Sequence, residues 1–519
     1  LLAELILLHL LKHLYQHLMR KFLLAVILVA SSLYAGKVSA QALPSTYFQQ
    51  TIVTGLSYPV DFDWAPDGRY FITLKGGNAT GSCANGKILV YSAAGALIGT
   101  FYDLTDSVNC DFERGLLGIA LDPAFATNHY VYVYYVHKYG TANSCRVLRF
   151  TEASNVGTSP TIICDINLNG VSPAPAGNHF GGMIRFRPSQ PDKIYFCIGD
   201  LAYQQGNPTL NYANKLNKPW GKILRINSNG TIPTDNPFYD DGNPLTGNDD
   251  RIWSYGHRNG FGMAFSPLTD TMYYSENGWN AYDEYNVIHK GGNYGWATCE
   301  GNYVYNTTTP CTGFINPVTT WGSPLGGITG TIYYSGTAMP EFDNHILVAD
   351  NDYGRIYDLT LGNAPAYDIV TSNTLFADIV TASGVGITTL REGADGCIYA
   401  MKGGYTTNGQ IYRICHVGTG IAAGEKSLNY IGQNYPNPST GETQIDYSIS
   451  NASDVSIELF DVTGRKVKSI LNASQDPGDH TVEVSGLDKF AEGSYFYKIE
   501  VKQDGKTAYT ATKRLMIVK

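Results

Sequence analysis

One pattern dominates this sequence and limits what the chain can fold into. Alternating apolar residues run into a turn, and a second β-rich run follows. The pattern appears as VDFDWAPDGRYFIT around Pro66, GIALDPAFATNHYVYVYYV around Pro123, MIRFRPSQPDKIYFCIGD around Pro188 and GMAFSPLTDTMYYSEN around Pro267. Looser copies are GTIYYSGTAMPEFDNHILVAD around Ser335 and TTLREGADGCIYAMK around Gly393, so the intervals are 57, 65, 79, 68 and 58 residues. Most copies are followed by a further apolar run: GKILVY, RVLRF, GKILRI, GRIYDL or GQIYRI. A unit of this length holds two hairpins. Four strands cannot bury both faces alone, so such units stack radially around a channel. Six copies predict a six-bladed β-propeller over residues 45–417. A pair of sandwiches would not repeat at one spacing.

Composition agrees with an all-β chain. The 56 Gly, 23 Pro and 38 Tyr supply turns and strand-favouring rings, and 43% hydrophobic residues argue against disorder. A formal charge of −9 rules out a general nucleic-acid-binding surface.

Met19 opens MRKFLLAVILVASSLYAGKVSAQA, in which Arg20 and Lys21 precede an apolar run and small residues suited to cleavage. Residues 19–40 therefore read as a secretory signal peptide, and 1–18 as upstream sequence translated from a start placed too early. No later stretch is long and apolar enough to span a membrane. Nine cysteines fit export. Local loop closure favours Cys83 with Cys110, Cys145 with Cys164, Cys299 with Cys311, and Cys397 with Cys415. Cys197 is then left as a buried thiol.

After Cys415 a small-residue linker, 418–430, leads to six or seven short alternating runs over 431–519. These predict a small immunoglobulin-like β-sandwich. Asn434-Tyr435-Pro436-Asn437-Pro438, Phe460-Asp461-Val462-Thr463-Gly464-Arg465 and Lys513-Arg514-Leu515 closely resemble a type IX (Por) secretion sorting domain. That resemblance implies the type IX machinery as a partner, with release or attachment at the cell surface. An ordinary carbohydrate-binding or adhesive sandwich is the alternative.

Propellers carry function on loops at one end of the channel. His179 stands in Gly177-Asn178-His179-Phe180-Gly181-Gly182, where the glycines let a ligand approach closely. Imidazole suits removal of a proton from an alcohol, and the competing role is a structural clamp between blades. Arg258 and Asn259, in Tyr255–Gly262, could hold an anionic or carbonyl-bearing group, or Arg258 could pair with Glu113. Gly278, Trp279, Asp283 and Glu284 lie in a turn rich in acids and amides. Asp240–Asp250 forms a second acidic loop, read as solvated. Calcium takes such oxygen ligands, although neither segment has EF-hand spacing.

ERGLLGIALDPAF, GNHFGGMIRF, GKILRIN followed by DNPF, GHRNGFGMAF and YDEYNVIHKGGNYGW occur in this order. Together they resemble the soluble glucose/sorbosone (aldose sugar) dehydrogenases, six-bladed quinoproteins. The resemblance implies His179 as catalytic base, and Arg258, Asn259, Glu113 and Gly278 around pyrroloquinoline quinone (PQQ). Carbonyls of Gly278 and Trp279 would hold calcium, with Asp283 and Glu284 as further candidate ligands. The expected activity is oxidation of a sugar's anomeric hydroxyl to a lactone. Departures are Glu113 where the family commonly has glutamine, Trp279 for proline, and Asp352 for an expected lysine, with no arginine pair in Ser383–Leu390. PQQ carries three carboxylates, which need cationic partners to leave water. The alternatives are a non-catalytic extracellular propeller that binds glycan or protein and, by fold analogy, a calcium-dependent lactonase.

Overall fold

In the computed structural model, which describes residues 43–518 apart from 78–82, 140–141, 169–176, 337, 365, 381–384, 418–429 and the single positions 433, 435, 450 and 504, each repeat becomes one sheet. The expected signal peptide and upstream segment, most of the linker, and Ser383 lie outside the described residues. Six four-stranded antiparallel sheets follow one another along the chain. Their first, innermost strands are Pro59–Trp64, Leu116–Leu121, Ile184–Arg187, Gly260–Phe265, Ile328–Tyr333 and Ile387–Glu392. Each innermost strand packs on the next, and the sixth packs on the first, so the ring closes. Every hairpin read from the repeats is present. For example, Phe62 pairs with Ile72, and Ile119 with Val133.

Closure comes from the N-terminal end of the described chain. Tyr47–Leu56 is the outermost strand of the sixth sheet, paired antiparallel with Gly409–His416 so that Phe48 lies opposite Cys415. The sequence reading placed no strand there. A strand contributed from the far end of the chain ties the first repeat to the last, leaving no open seam.

Cores lie between neighbouring sheets. Phe71, Phe101 and Val133 fill the gap between the first and second, and Tyr134, Phe196 and Leu224 that between the second and third. Both faces of a sheet are therefore buried, which explains nearly continuous apolar runs such as Leu116–Leu121, buried at every residue. Inside the ring the Asp61 carboxylate receives Arg185 Nη1 at 2.9 Å, Arg391 Nη2 at 3.3 Å, Thr389 Oγ1 at 3.0 Å and the Ile119 amide at 3.2 Å. Burial opposes the charge, but the two guanidiniums outweigh it and hold Asp61 below the usual carboxylate range. This cluster joins four inner strands.

Three disulfides form: Cys83–Cys110, Cys299–Cys311 and Cys397–Cys415. The fourth expected bridge does not. Cys145 faces Ile166 and Cys164 faces Val147, so the two cysteines sit diagonally across neighbouring strands. Diagonal Cα atoms are about 7–8 Å apart, beyond the usual reach of a disulfide. Burial pushes the Cys145 thiol up to about 12 and raises that of Cys164, which receives Arg251 Nη1 at 3.6 Å. Cys197 is a buried free thiol, as expected.

Residues beyond 430 form a three-stranded sheet (Tyr430–Ile431, Thr443–Ile449, Gly478–Val484) and a four-stranded one (Lys466–Gln475, Ser453–Phe460, Gly493–Gln503, Lys506–Ile517). Alternate residues such as Ile445, Tyr447, Ile457, Leu459 and Ile499 enclose a common core. The sorting motifs are structural within it. Asn434 Nδ2 donates to Pro436 O and Thr443 Oγ1, and Asp461 gathers Thr463 and Arg465 into a turn.

Candidate active site

The segments that enter the innermost strands of the second, third and fourth sheets meet one another through Glu113, His179 and Asn259. His179 is 5% exposed and holds its backbone at φ 61°, a conformation that the flanking Gly177, Gly181 and Gly182, also at positive φ, help the chain to reach. Its amide donates to Glu113 Oε2 at 2.6 Å. The same oxygen accepts Asn259 Nδ2 at 3.1 Å, while Asn259 Oδ1 accepts the Gly181 amide at 3.2 Å. Glu113 thus fastens the entries of three sheets together and does not pair with Arg258. An amide at this position could accept the same two bonds, so the acid's role here is met by hydrogen bonding alone.

The His179 ring is oriented by a residue that the sequence reading missed. Nδ1 lies 2.6 Å from Asp200 Oδ1, and Asp200 is wholly buried. Its Oδ1 also accepts the Ala202 amide at 2.9 Å, and its Oδ2 accepts Asn211 Nδ2 at 2.9 Å and Trp296 Nε1 at 2.6 Å. Burial favours the neutral acid, but His179, the Arg258 charge and the Trp296 donor outweigh it, and the carboxyl titrates below its ordinary range. An ionised Asp200 places the imidazole proton on Nδ1 and leaves Nε2 with its lone pair. Asp200 follows a strand in CIGDLAY, with nothing in the local sequence to separate it from a turn aspartate.

Arg258 is anchored at the backbone by Glu276 Oε1 and at the side chain by Gln205 Oε1, at 3.1 Å from Nε and 2.8 Å from Nη2. Its Nη1 donates to Asn277 O at 2.9 Å and to Gly278 O, and its guanidinium lies over the Trp296 ring. Two carbonyl oxygens of the 277–278 turn therefore converge on a positive charge. Neighbouring His257 is buried between Glu276 and Ser254, where it braces the strand rather than facing the mouth.

The expected calcium segment is pinned from within. Gly278 has no room for a side chain, since a Cβ would lie 1.7 Å from Tyr282 O. Asp283 accepts the amides of Gly278 and Gly327 at 3.0 and 2.9 Å, and burial raises its carboxyl to about 6. Glu284 accepts the Gly301 amide at 2.6 Å, and burial together with Glu276 raises it well above the ordinary range. Glu300, absent from the sequence reading, takes the amides of Trp279, Asn280, Ala281 and Tyr282 on Oε1, while its buried Oε2 has no partner. Trp279 is 40% exposed and stacks on Tyr305 with 5.2 Å between centroids. An exposed indole beside a charged arginine is an unusual place to leave apolar surface.

Lys75 is a second cation that the sequence did not flag. It is buried, donates to Gly77 O at 2.8 Å and Cys110 O at 2.7 Å, and lies over the Tyr405 ring. Burial lowers its ammonium to about 8, against the pull of Asp111 and Glu113, so at neutral pH it remains mainly charged. Asp352 is exposed, its amide bound to Gly326 O at 2.9 Å.

Residues 56–413 match the model of the glucose/sorbosone dehydrogenase family, and residues 433–517 that of the secretion system C-terminal sorting domain. The chain is 28% identical over 394 residues to aldose sugar dehydrogenase YliI of Escherichia coli, covering 73% of this chain and 94% of that one. It is 32% identical over 282 residues to quinoprotein glucose dehydrogenase B of Acinetobacter calcoaceticus, covering 50% of this chain and 55% of that one. Among solved structures, the PQQ-bound aldose sugar dehydrogenase of Streptomyces coelicolor shares the fold with a TM-score of 0.55 at 22% identity, over 72% of this chain and all of the other. Among the described residues no helix is long and apolar enough to cross a membrane.

Proposed function

The chain belongs to the glucose/sorbosone dehydrogenase family and carries a sorting domain for type IX export to the surface or the medium, and from that premise we propose that it is a PQQ-dependent aldose sugar dehydrogenase. In this reading the ring is a six-bladed propeller over 45–417, and 431–519 is an immunoglobulin-like sorting module. The observation that carries the proposal is the His179–Asp200 pair, which leaves an imidazole nitrogen free at the rim of the inner strands, next to a fixed cation.

The donor set suits the cofactor. Arg258 and Lys75 would offer two positive charges for its carboxylates, while Asp352 offers none. Asn259 adds an amide. The carbonyls of Gly278 and Trp279 are the kind of oxygens that would hold calcium, with Asp283 and Glu284 as further candidate ligands, once Gly278 O gives up its bond from Arg258 Nη1. When bound, the quinone supplies a two-electron hydride acceptor. The chain's own contribution is proton handling and placement. His179 Nε2 accepts the proton of the anomeric hydroxyl, Asp200 stabilises the imidazolium that results, and Arg258 faces the oxygen on which charge develops. The product of that oxidation is a lactone.

A glycan-binding propeller without redox chemistry is the second reading, favoured by the exposed Trp279 stacked on Tyr305. Titrating the calcium-loaded protein with PQQ, followed by dye-linked aldose oxidation, separates the two. The dehydrogenase predicts saturable cofactor absorbance and turnover. It also predicts that His179→Asn, whose new side chain tolerates positive φ, keeps the absorbance but loses about 10²–10⁴-fold in kcat. No binding at high micromolar PQQ would reject the dehydrogenase in favour of the second reading.

A further inference from the structure

Away from the mouth, the long loop that joins the last two strands of the third sheet folds back on itself. One carboxylate oxygen from each of Asp240, Asp241 and Asp250 lies within 4.8 Å of the other two. Asp240 and Asp241 are exposed, whereas Asp250 is wholly buried with its carboxylate turned into this group. Asp250 Oδ1 accepts the Asp240 amide at 2.6 Å, but Oδ2 is buried with no donor at all. A buried carboxylate oxygen without a partner is costly, and two more negative charges beside it make it costlier.

Local cations do not relieve it. Among the described residues none of the three acids takes part in an ion pair. Arg251, next in sequence, is spent on Asp249 at 2.8 and 2.6 Å, and Arg225 on Asp235 at 3.0 and 3.1 Å. The loop is also shaped in advance. Asn248 N–H donates to Asp240 Oδ2 at 2.8 Å, and Asn243 N–H to Asp241 Oδ1 at 2.7 Å, which fixes both exposed carboxylates over Asp250.

We propose that Asp240, Asp241 and Asp250 bind a calcium ion, with Asp250 Oδ2 as its buried ligand. The donor set is all oxygen, which suits a hard cation rather than zinc. Three carboxylates open to water on one side can reach the six to eight ligands that calcium takes without the strict octahedron of magnesium. The bound ion clips the loop to the strand Ile252–Tyr255, which leads directly into Arg258 and Asn259. The site is separate from the residues proposed above for the cofactor's calcium, so each can fail without the other.

Asp250→Asn in the full chain is the decisive variant, because the proposal makes its effect depend on the metal. The amide oxygen keeps the Asp240 N–H, while the new NH2 replaces the orphaned oxygen and donates toward the two remaining acids. In chelator, without PQQ, the variant should melt above the wild type. In millimolar calcium chloride the wild type should gain stability and the variant should gain less. Calorimetric calcium titration should show the variant one equivalent short, and Asp241→Asn should weaken the same equivalent by at least about tenfold. A variant that melts below the wild type in chelator, or that binds as many calcium equivalents with the same affinity, overturns the proposal.

Discussion

Asp200→Asn tests the argument at its most specific point, because the substitution keeps the shape of the side chain and changes only which atoms accept. Four donors converge on this carboxylate: His179 Nδ1 and Ala202 N–H on one oxygen, Asn211 Nδ2 and Trp296 Nε1 on the other. Asparagine has one acceptor oxygen. If that oxygen faces His179, the donors of Asn211 and Trp296 are both left against an NH2 group. If the amide flips, those two are satisfied, only the Ala202 N–H is orphaned, and His179 can adapt by moving its proton to Nε2. An unsatisfied buried donor costs about 1–3 kcal/mol, so the flipped arrangement is favoured by roughly that amount. The prediction is therefore a well-folded protein, destabilised by roughly 1–3 kcal/mol, with histidine in the wrong tautomer. Turnover should fall by about 10⁴-fold, the order seen when the carboxylate behind a catalytic histidine becomes an amide, with PQQ absorbance retained. Nitrogen-15 spectra of histidine-labelled protein read the tautomer without any cofactor. They should show Nε2 bare in the wild type and protonated in the variant. A wild-type His179 that carries its proton on Nε2, or an asparagine variant that turns over at the parental rate, would refute the reasoning.

Two further outcomes follow from the same physics. Thiol titration in denaturant should count three free cysteines, Cys145, Cys164 and Cys197, with very slow reaction in the native protein because burial raises all three thiols; a count of one would restore the Cys145–Cys164 bridge. Asp350 is wholly buried, and burial raises its carboxyl from the ordinary 3.8 to about 6. The folded state therefore holds its proton longer than the unfolded chain, and Asp350's contribution is present below pH 4 and lost as pH rises through 6. Asp350→Asn can keep the Tyr353 and Arg355 amides on its oxygen. It should match the wild type near pH 4 and exceed it at pH 8 by up to roughly 3 kcal/mol. A lower melting temperature at pH 8 would show that the charge is compensated.

Much of this architecture was legible in the sequence, because alternation and turn chemistry are local. Hairpins such as Phe62 opposite Ile72 follow from a few neighbouring residues, and six such units have few ways to bury both faces. His179, Arg258 and Asn259 were visible for the same reason, each set in glycine-rich sequence just ahead of an inner strand. Tertiary structure alone decided the rest. The strand Tyr47–Leu56 closes the ring against residues near 412, a pairing no local pattern encodes. Register, not proximity in sequence, kept Cys145 and Cys164 apart. Asp200, Lys75 and Glu300 look like ordinary loop or strand residues until folding removes them from water. A charged group becomes informative only when its partners are known, and those partners arrive from distant segments: Asp200 meets Trp296 across 96 residues, and Glu113 meets Asn259 across 146. Short-range periodicity determines which faces are buried, whereas desolvation and hydrogen-bond satisfaction, which create the site, depend on how the closed ring brings its strand entries together.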